Sequence, residues 1–292
     1  MTTSVENPVV QSSGNTIARI HKPTLSEFKQ ATQSYSKPVI ITGKIEEWKA
    51  FDSWSIDYLN QALENKEVKI SVSKNKTFTF TEENDYILPS IQMKFNDFTD
   101  WILNGDRTET FYYLYQTPIE TSFPELLPDI ATPEYIKKNV FVLANLWMGT
   151  GGNTSPLHWD SVQNLLCQVR GRKKLLLFEP KQTSCLYSFP VNSKIPHMSQ
   201  VKINNPDFNK FPKFKNARYT ECTLEPGEML FIPPFWWHQV HSLDQLNIAI
   251  NFWWGMNFKD YFAPQARRIF ASSPQQIGLL IKSLFSKASK KN

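Results

Sequence analysis

The stretch GTGGNTSPLHWDSVQNLLCQVRGRKKLLLF, Gly149 to Phe178, decides how the rest of the chain is read. At its centre His158 and Asp160 stand two apart, so in an extended strand both side chains leave one face and can grip one metal ion. An imidazole and a carboxylate placed this way supply two of the three ligands of a two-histidine, one-carboxylate iron(II) site, which leaves three coordination positions open. The chain has five histidines. At that composition a His-x-Asp triplet arises by accident in about one chain in five, so the surrounding sequence has to decide.

Outward from that stretch, short apolar runs follow one another in close order: VFVLANLWM, NLLCQV, KKLLLF, YTECTL, EMLFIP, HQVHSL and NIAINFWW. The turn signals GTGGN, RGRK, EPGE and IPPF separate them, a spacing that predicts an all-β barrel or sandwich from about residue 140 onward. The preceding region reads as scaffold. It holds a helix over Ser26–Gln33 with Ser26 as its cap, a strand over Val39–Thr42 ended by Gly43, and Trp54, Tyr58, Leu59, Ala62 and Leu63 at helical spacing. VKISVS and TFTF read as strands, Lys94–Leu103 as an amphipathic helix, and Phe111–Thr117 as a tyrosine-bearing β run.

Residues 1–16 are small and polar and read as a loose arm. Ser184–Arg218 is long and irregular, a candidate lid or substrate rim. Beyond Phe258 the pattern turns helical, and Ile277, Leu280, Ile281 and Leu284 form a stripe that can pack on its own domain or on a second copy.

Composition bounds the function. Across 292 residues 41% are apolar, 20% charged and 14% aromatic, which fits a folded enzyme or binding domain. The net charge of +5 permits an anionic partner such as a nucleic acid without requiring one. Cys167, Cys185 and Cys222 are odd in number and lack CxxC spacing, so a disulfide framework and a zinc knuckle are not indicated and a reducing compartment is expected. No apolar run reaches the ~18 residues of a membrane span, and no signal peptide opens the chain. The expectation is a soluble cytoplasmic protein without a membrane partner.

The third ligand must come from elsewhere. His21 lies in the N-terminal region and His197 in the irregular loop, leaving His238 and His241 within the strand-rich half. His238 follows EPGEMLFIPPFWW, a turn, an apolar strand, a Pro-Pro corner and two tryptophans that would dry a ligand's wall. His241, an odd offset away, faces the other side of the strand. His238 is the better third ligand.

The run SPLHWDSVQNLLCQVRGRKKLLLFEP, followed by LEPGEMLFIPPFWWHQV and NIAINFWW, resembles the cupin-like JmjC oxygenases, which depend on iron(II) and 2-oxoglutarate. The likeness spans roughly residues 37–255 and is strongest from Ser155 to Trp254. It implies a mainly β fold, a double-stranded β-helix (jelly-roll or cupin) core at about residues 140–257, with N-terminal α/β decoration and C-terminal helices. Residues 17–257 would form the catalytic domain and residues 258–292 a helical segment suited to homodimer formation.

The resemblance also assigns roles. His158, Asp160 and His238 become the iron ligands, and Lys173 becomes the partner of the distal carboxylate of 2-oxoglutarate. Strand alternation supports the choice of Lys173, which shares a face with Leu175 and Leu177 while Lys174 looks out. Tyr113 and Ser155 match hydroxyl-bearing residues that reach the same carboxylate, with serine standing where a relative has threonine. Asn164 and Asn251 match asparagines lining iron and cosubstrate. Trp159 replaces the tyrosine often found between the ligands and lacks its hydroxyl.

The implied reaction consumes dioxygen and 2-oxoglutarate, hydroxylates a C–H bond and releases succinate and CO2. A protein or peptide side chain is the first expectation for the substrate, with Ser184–Arg218, Tyr115, Trp147 and Trp237 as pocket walls. A modified tRNA base is the alternative, since NNPDFNKFPKFKNARYTECTLEPGEMLFIP also resembles a tRNA wybutosine hydroxylase. Histone-lysine demethylation is less favoured, because no reader domain accompanies the core. A catalytically inert cupin module is the rival from another class. Small-molecule cupins usually need more histidine ligands than these.

Overall fold

The computed structural model describes residues 10–80, 87–106, 108–136 and 140–255. The predicted C-terminal helices lie outside the described residues. The scaffold comes first: β1 (Arg19–His21), α1 (Leu25–Ala31), β2 (Val39–Thr42), α2 (Lys49–Ser53), α3 (Ile56–Ala62), β3 (Glu67–Ser73), β4 (Ser90–Lys94), α4 (Phe95–Asn104), β5 (Phe111–Pro118) and α5 (Ile119–Ser122). Eight further strands follow: β6 (Val142–Gly149), β7 (Thr154–Trp159), β8 (Gln163–Arg170), β9 (Lys173–Phe178), β10 (Thr220–Leu224), β11 (Met229–Ile232), β12 (Trp237–Ser242) and β13 (Asn247–Trp254).

These eight fold back and forth between two sheets. β6, β8, β11 and β13 join a large sheet ordered β1-β2-β11-β8-β13-β6-β5-β3-β4, while β7, β9, β10 and β12 make a small one ordered β10-β9-β12-β7. That alternation, with antiparallel pairing throughout the eight, is the double-stranded β-helix. β9 shows how sequence sets the faces. Leu175 and Leu177 join the cluster between the sheets, while Leu176 and Phe178 join a second cluster on the outer side of the small sheet. The β8–β9 turn fixes where β9 begins: Gly171 has φ +64, and a Cβ there would strike the Leu246 carbonyl.

A third cluster seats α1, α3 and α4 on the large sheet through Phe28, Leu59, Phe98 and Ile102. α1 begins two residues earlier than its sequence indicates. Thr24, not Ser26, is the cap, because Glu27 reaches back to the Thr24 backbone and completes a capping box. Asp129, 2% exposed, ties the helices together by accepting from Trp54 Nε1 at 2.9 Å, Tyr58 Oη at 2.6 Å and Lys49 Nζ at 2.8 Å. Asp129→Ala strands a buried indole N–H and is expected to cost about 2 kcal/mol of unfolding free energy in urea titrations. A loss too small to measure would refute that role.

Three expectations need correction. TFTF makes only the Thr77–Thr154 bridge, and the outer strand on that side is β4, a short run in which Ile91 and Met93 alternate with Ser90, Gln92 and Lys94. The N-terminal arm is not loose over its described part. Val10 is buried, Ser13 N–H bonds the Tyr219 carbonyl at 2.7 Å, and Ser13 Oγ meets Thr220 Oγ1 at 2.9 Å, so this segment covers the otherwise open β10 edge. Ser184–Arg218 is a packed element rather than a lid: Leu186, Ile203, Phe211 and Phe214 are buried against Trp159, Phe178 and Trp237. Among the described residues no helix is long and apolar enough to cross a membrane.

Candidate active site

His158 on β7 and His238 on β12 are direct cross-strand partners, and Asp160 lies just past the end of β7. The imidazole centroids are 4.2 Å apart, and His238 Nε2 lies 3.7 Å from Asp160 Oδ2. One potential ligand atom from each of the three side chains falls within 4.8 Å of the others. His158 Nδ1 is 2.7 Å from the Pro156 carbonyl, and His238 Nδ1 is 3.0 Å from the Trp236 carbonyl. A carbonyl only accepts, so each Nδ1 carries the proton and each Nε2 turns a lone pair toward the centre. Burial, reinforced by the nearby His158, lowers the pKa of His238 to about 4 against the opposing pull of Asp160. The ring is therefore a neutral donor at physiological pH. Two imidazoles and a carboxylate on one side of a pocket are the donor set that suits iron(II).

Tyr113, Trp147, Ser155, Asn164, Lys173 and Asn251 are among the residues that line the pocket above these side chains. Lys173 is 2% exposed, and burial alone lowers its pKa to about 7. Its Nζ donates to Ser242 Oγ at 3.0 Å and lies 3.4 Å from Tyr113 Oη. Among the described residues it forms no ion pair with a carboxylate. A buried ammonium with only hydroxyl neighbours is costly until an anion arrives. A dicarboxylate that chelates a metal at the triad with one end and meets Lys173 with the other fits both halves of the pocket. The Tyr115 hydroxyl hydrogen-bonds Ser155, which sets that wall.

All eight site residues named from the sequence meet in this one pocket. Ser242 was missed, although its even offset from His238 puts it on the ligand-bearing face. Asn145 was missed too; it donates to Asn251 Oδ1 at 3.2 Å, an acceptor shared with Trp147 Nε1 at 2.8 Å. Trp147 does line the pocket, and Tyr115 packs on it edge-on at 4.7 Å. Trp237 does not. Its odd offset sends it to the outer face, where its indole N–H bonds Thr183 Oγ1 at 3.0 Å. His241 shares that face, between Thr154 Oγ1 at 3.0 Å and Gln239 Nε2 at 2.9 Å. The irregular segment closes the free edge of β7, with His158 bridged to Met198 and the Trp159 N–H bonded to the His197 carbonyl at 3.1 Å.

A family profile described as Cupin-like domain matches residues 25–260. Lysine-specific demethylase 8 of Danio rerio is 40% identical over 245 residues, covering 82% of this chain and 58% of that protein. JmjC domain-containing protein D of Dictyostelium discoideum is 35% identical over 265 residues, covering 82% of this chain and 57% of that protein. The tRNA wybutosine-synthesizing protein 5 of Homo sapiens is 30% identical over 253 residues, covering 82% of this chain and 77% of that protein. The chain thus spans little more than half the length of the first two relatives.

Proposed function

Because the chain belongs to the cupin-like, JmjC-type family, we propose that it is an iron(II)- and 2-oxoglutarate-dependent oxygenase acting on a protein or peptide side chain. His158, Asp160 and His238 hold the metal; Lys173, with Tyr113 and Ser155, holds the distal carboxylate of the cosubstrate. Bound iron(II) supplies the coupling of dioxygen and 2-oxoglutarate to C–H hydroxylation, with succinate and CO2 as coproducts. The protein's part is positional. Lys173 fixes the cosubstrate's far end, so the 2-oxo acid end is delivered to the open positions beside the triad. Asn164 steadies Asp160 through a 3.1 Å hydrogen bond to Oδ2. The Trp147 ring, backed by Tyr115, walls the pocket and keeps bulk water from the reacting bond.

One observation carries this reading: a buried lysine with no carboxylate partner among the described residues shares a pocket with two imidazoles and a carboxylate. An inert module would have no use for that uncompensated ammonium. The test is anaerobic titration of the protein with iron(II) and 2-oxoglutarate, followed by aerobic turnover on a peptide panel. A visible charge-transfer band and succinate formation are expected; absence of both would overturn the proposal. The lysine-specific demethylase named among the relatives lies within the same reaction class, since hydroxylating an N-methyl C–H bond leads to loss of the methyl group as formaldehyde.

A modified tRNA base is the second reading, supported by the 77% of the human wybutosine-synthesizing protein that this chain covers. It predicts tRNA affinity that falls steeply between low and physiological salt as lysine and arginine contacts release counterions. Salt-independent or absent tRNA binding would remove it.

A further inference from the structure

The triad sits on the small sheet, but the side chain that bonds Asp160 belongs to a chain of polar groups crossing the large one. Trp147 Nε1 on β6 donates to Asn251 Oδ1 on β13 at 2.8 Å. Asn251 Nδ2 donates to Asn164 Oδ1 on β8 at 3.2 Å, and Asn164 Nδ2 donates to Asp160 Oδ2 at 3.1 Å. Asn251 is 1% and Asn164 5% exposed, so water does not readily replace these bonds.

The two ends give the series its direction. An indole N–H can only donate, and an ionised carboxylate can only accept. Between them each amide has one orientation that satisfies both neighbours. Asn145 also donates to Asn251 Oδ1, at 3.2 Å, but it cannot set the direction. Its own Oδ1 is buried without a partner, so turning the Asn145 and Asn251 amides together would make an equally good bond between them. The turned Asn251 would present its carbonyl to Asn164. Asn164 would turn in response and point a carbonyl at the Asp160 carboxylate, oxygen against oxygen. Trp147 Nε1, left donor to donor against the turned Asn251 amide, opposes this state at one end as the Asp160 carboxylate does at the other.

We propose that Trp147 is a positioning residue for the metal site, acting through Asn251 and Asn164 to hold the Asp160 carboxylate in its ligating orientation. This inference rests on the reading of His158, Asp160 and His238 as a metal site. Trp147 also lines the pocket. A role confined to substrate contact or packing would leave metal binding untouched in the absence of substrate and cosubstrate.

The experiment measures cobalt(II) affinity of the 292-residue apo chain by calorimetry, without 2-oxoglutarate, alongside thermal melting. Asn164→Ala is expected to weaken binding about tenfold, as removal of a group that orients a ligand does. Trp147→Phe is expected to weaken it about threefold to tenfold, the worth of one neutral hydrogen bond. Because the groups act in series, the double variant should bind no more weakly than Asn164→Ala alone. Wild-type affinity in a folded Trp147→Phe protein, or losses that multiply in the double variant, would overturn the proposal. If Trp147→Phe does not fold, Asn251→Ala cuts the series one link later: an affinity matching Asn164→Ala supports it, and wild-type affinity overturns it. Failure of the wild-type protein to bind cobalt(II) would instead remove the metal-site reading, and the relay with it.

Discussion

Lys173→Met is expected to weaken 2-oxoglutarate binding by about a hundredfold or more while iron(II) still binds at His158, Asp160 and His238. Methionine keeps the length and apolar stem of the lysine, so packing survives and only the charge is lost. A desolvated charge pair is worth roughly 2–5 kcal/mol, and about 3 kcal/mol corresponds to a hundredfold change in dissociation constant. Calorimetry with 2-oxoglutarate measures it, and an unchanged affinity would show that the anion sits elsewhere. The same substitution should raise the melting temperature of the apo protein, because it removes a buried cation that has no carboxylate partner among the described residues.

The pH dependence has a definite sign. Lys173 titrates at about 7 in the folded chain against 10.5 for an ordinary lysine, so between those values the unfolded chain binds more protons. Stability of the apo protein therefore rises as pH climbs from about 7 to about 10.5, and below 7 the full penalty of the buried charge is present. Cosubstrate binding runs the other way: above pH 7 the lysine must first regain its proton, so 2-oxoglutarate affinity falls as pH rises. Lys173→Met should flatten both profiles.

The second large effect concerns the ligands. Asp160→Ala and His238→Ala should each lower metal affinity beyond the roughly 10–100-fold cost of losing a supporting residue, and turnover should disappear with it. His241→Gln should leave metal binding unchanged, since His241 faces the outer side of the small sheet beside Thr154. Cobalt(II) calorimetry on the three variants measures this. A His241 variant that loses metal, or a His238 variant that keeps it, would reassign the third ligand.

Period-two alternation carried most of what could be read in advance. It gave seven of the eight core strands from apolar runs alone, and the eighth, β7, from the motif at its end; it also chose His238 over His241 and turned Lys173 inward. The same rule reaches Ser242 and excludes Trp237 from the pocket, so those two were errors of application. Other features are not local. Nothing in MTTSVENPVVQSSG says that Val10 and Ser13 will close the β10 edge, because the edge exists only once the small sheet has formed. Ser184–Arg218 lacks periodicity yet is anchored, since Leu186, Ile203, Phe211 and Phe214 are buried as single residues rather than as faces. The hydrogen bonds among Asn145, Trp147, Asn164 and Asn251 depend on three strands that lie side by side only in the folded sheet.

Both triad histidines are anchored by backbone carbonyls two residues upstream, at Pro156 and Trp236. Each imidazole therefore takes its tautomer from a three-residue piece of backbone. Side chains elsewhere around the pocket can therefore change without retuning those tautomers. The chain separates an inheritable reaction from a replaceable specificity, which is how one scaffold can serve relatives whose names point to lysine side chains in one case and to a tRNA base in another.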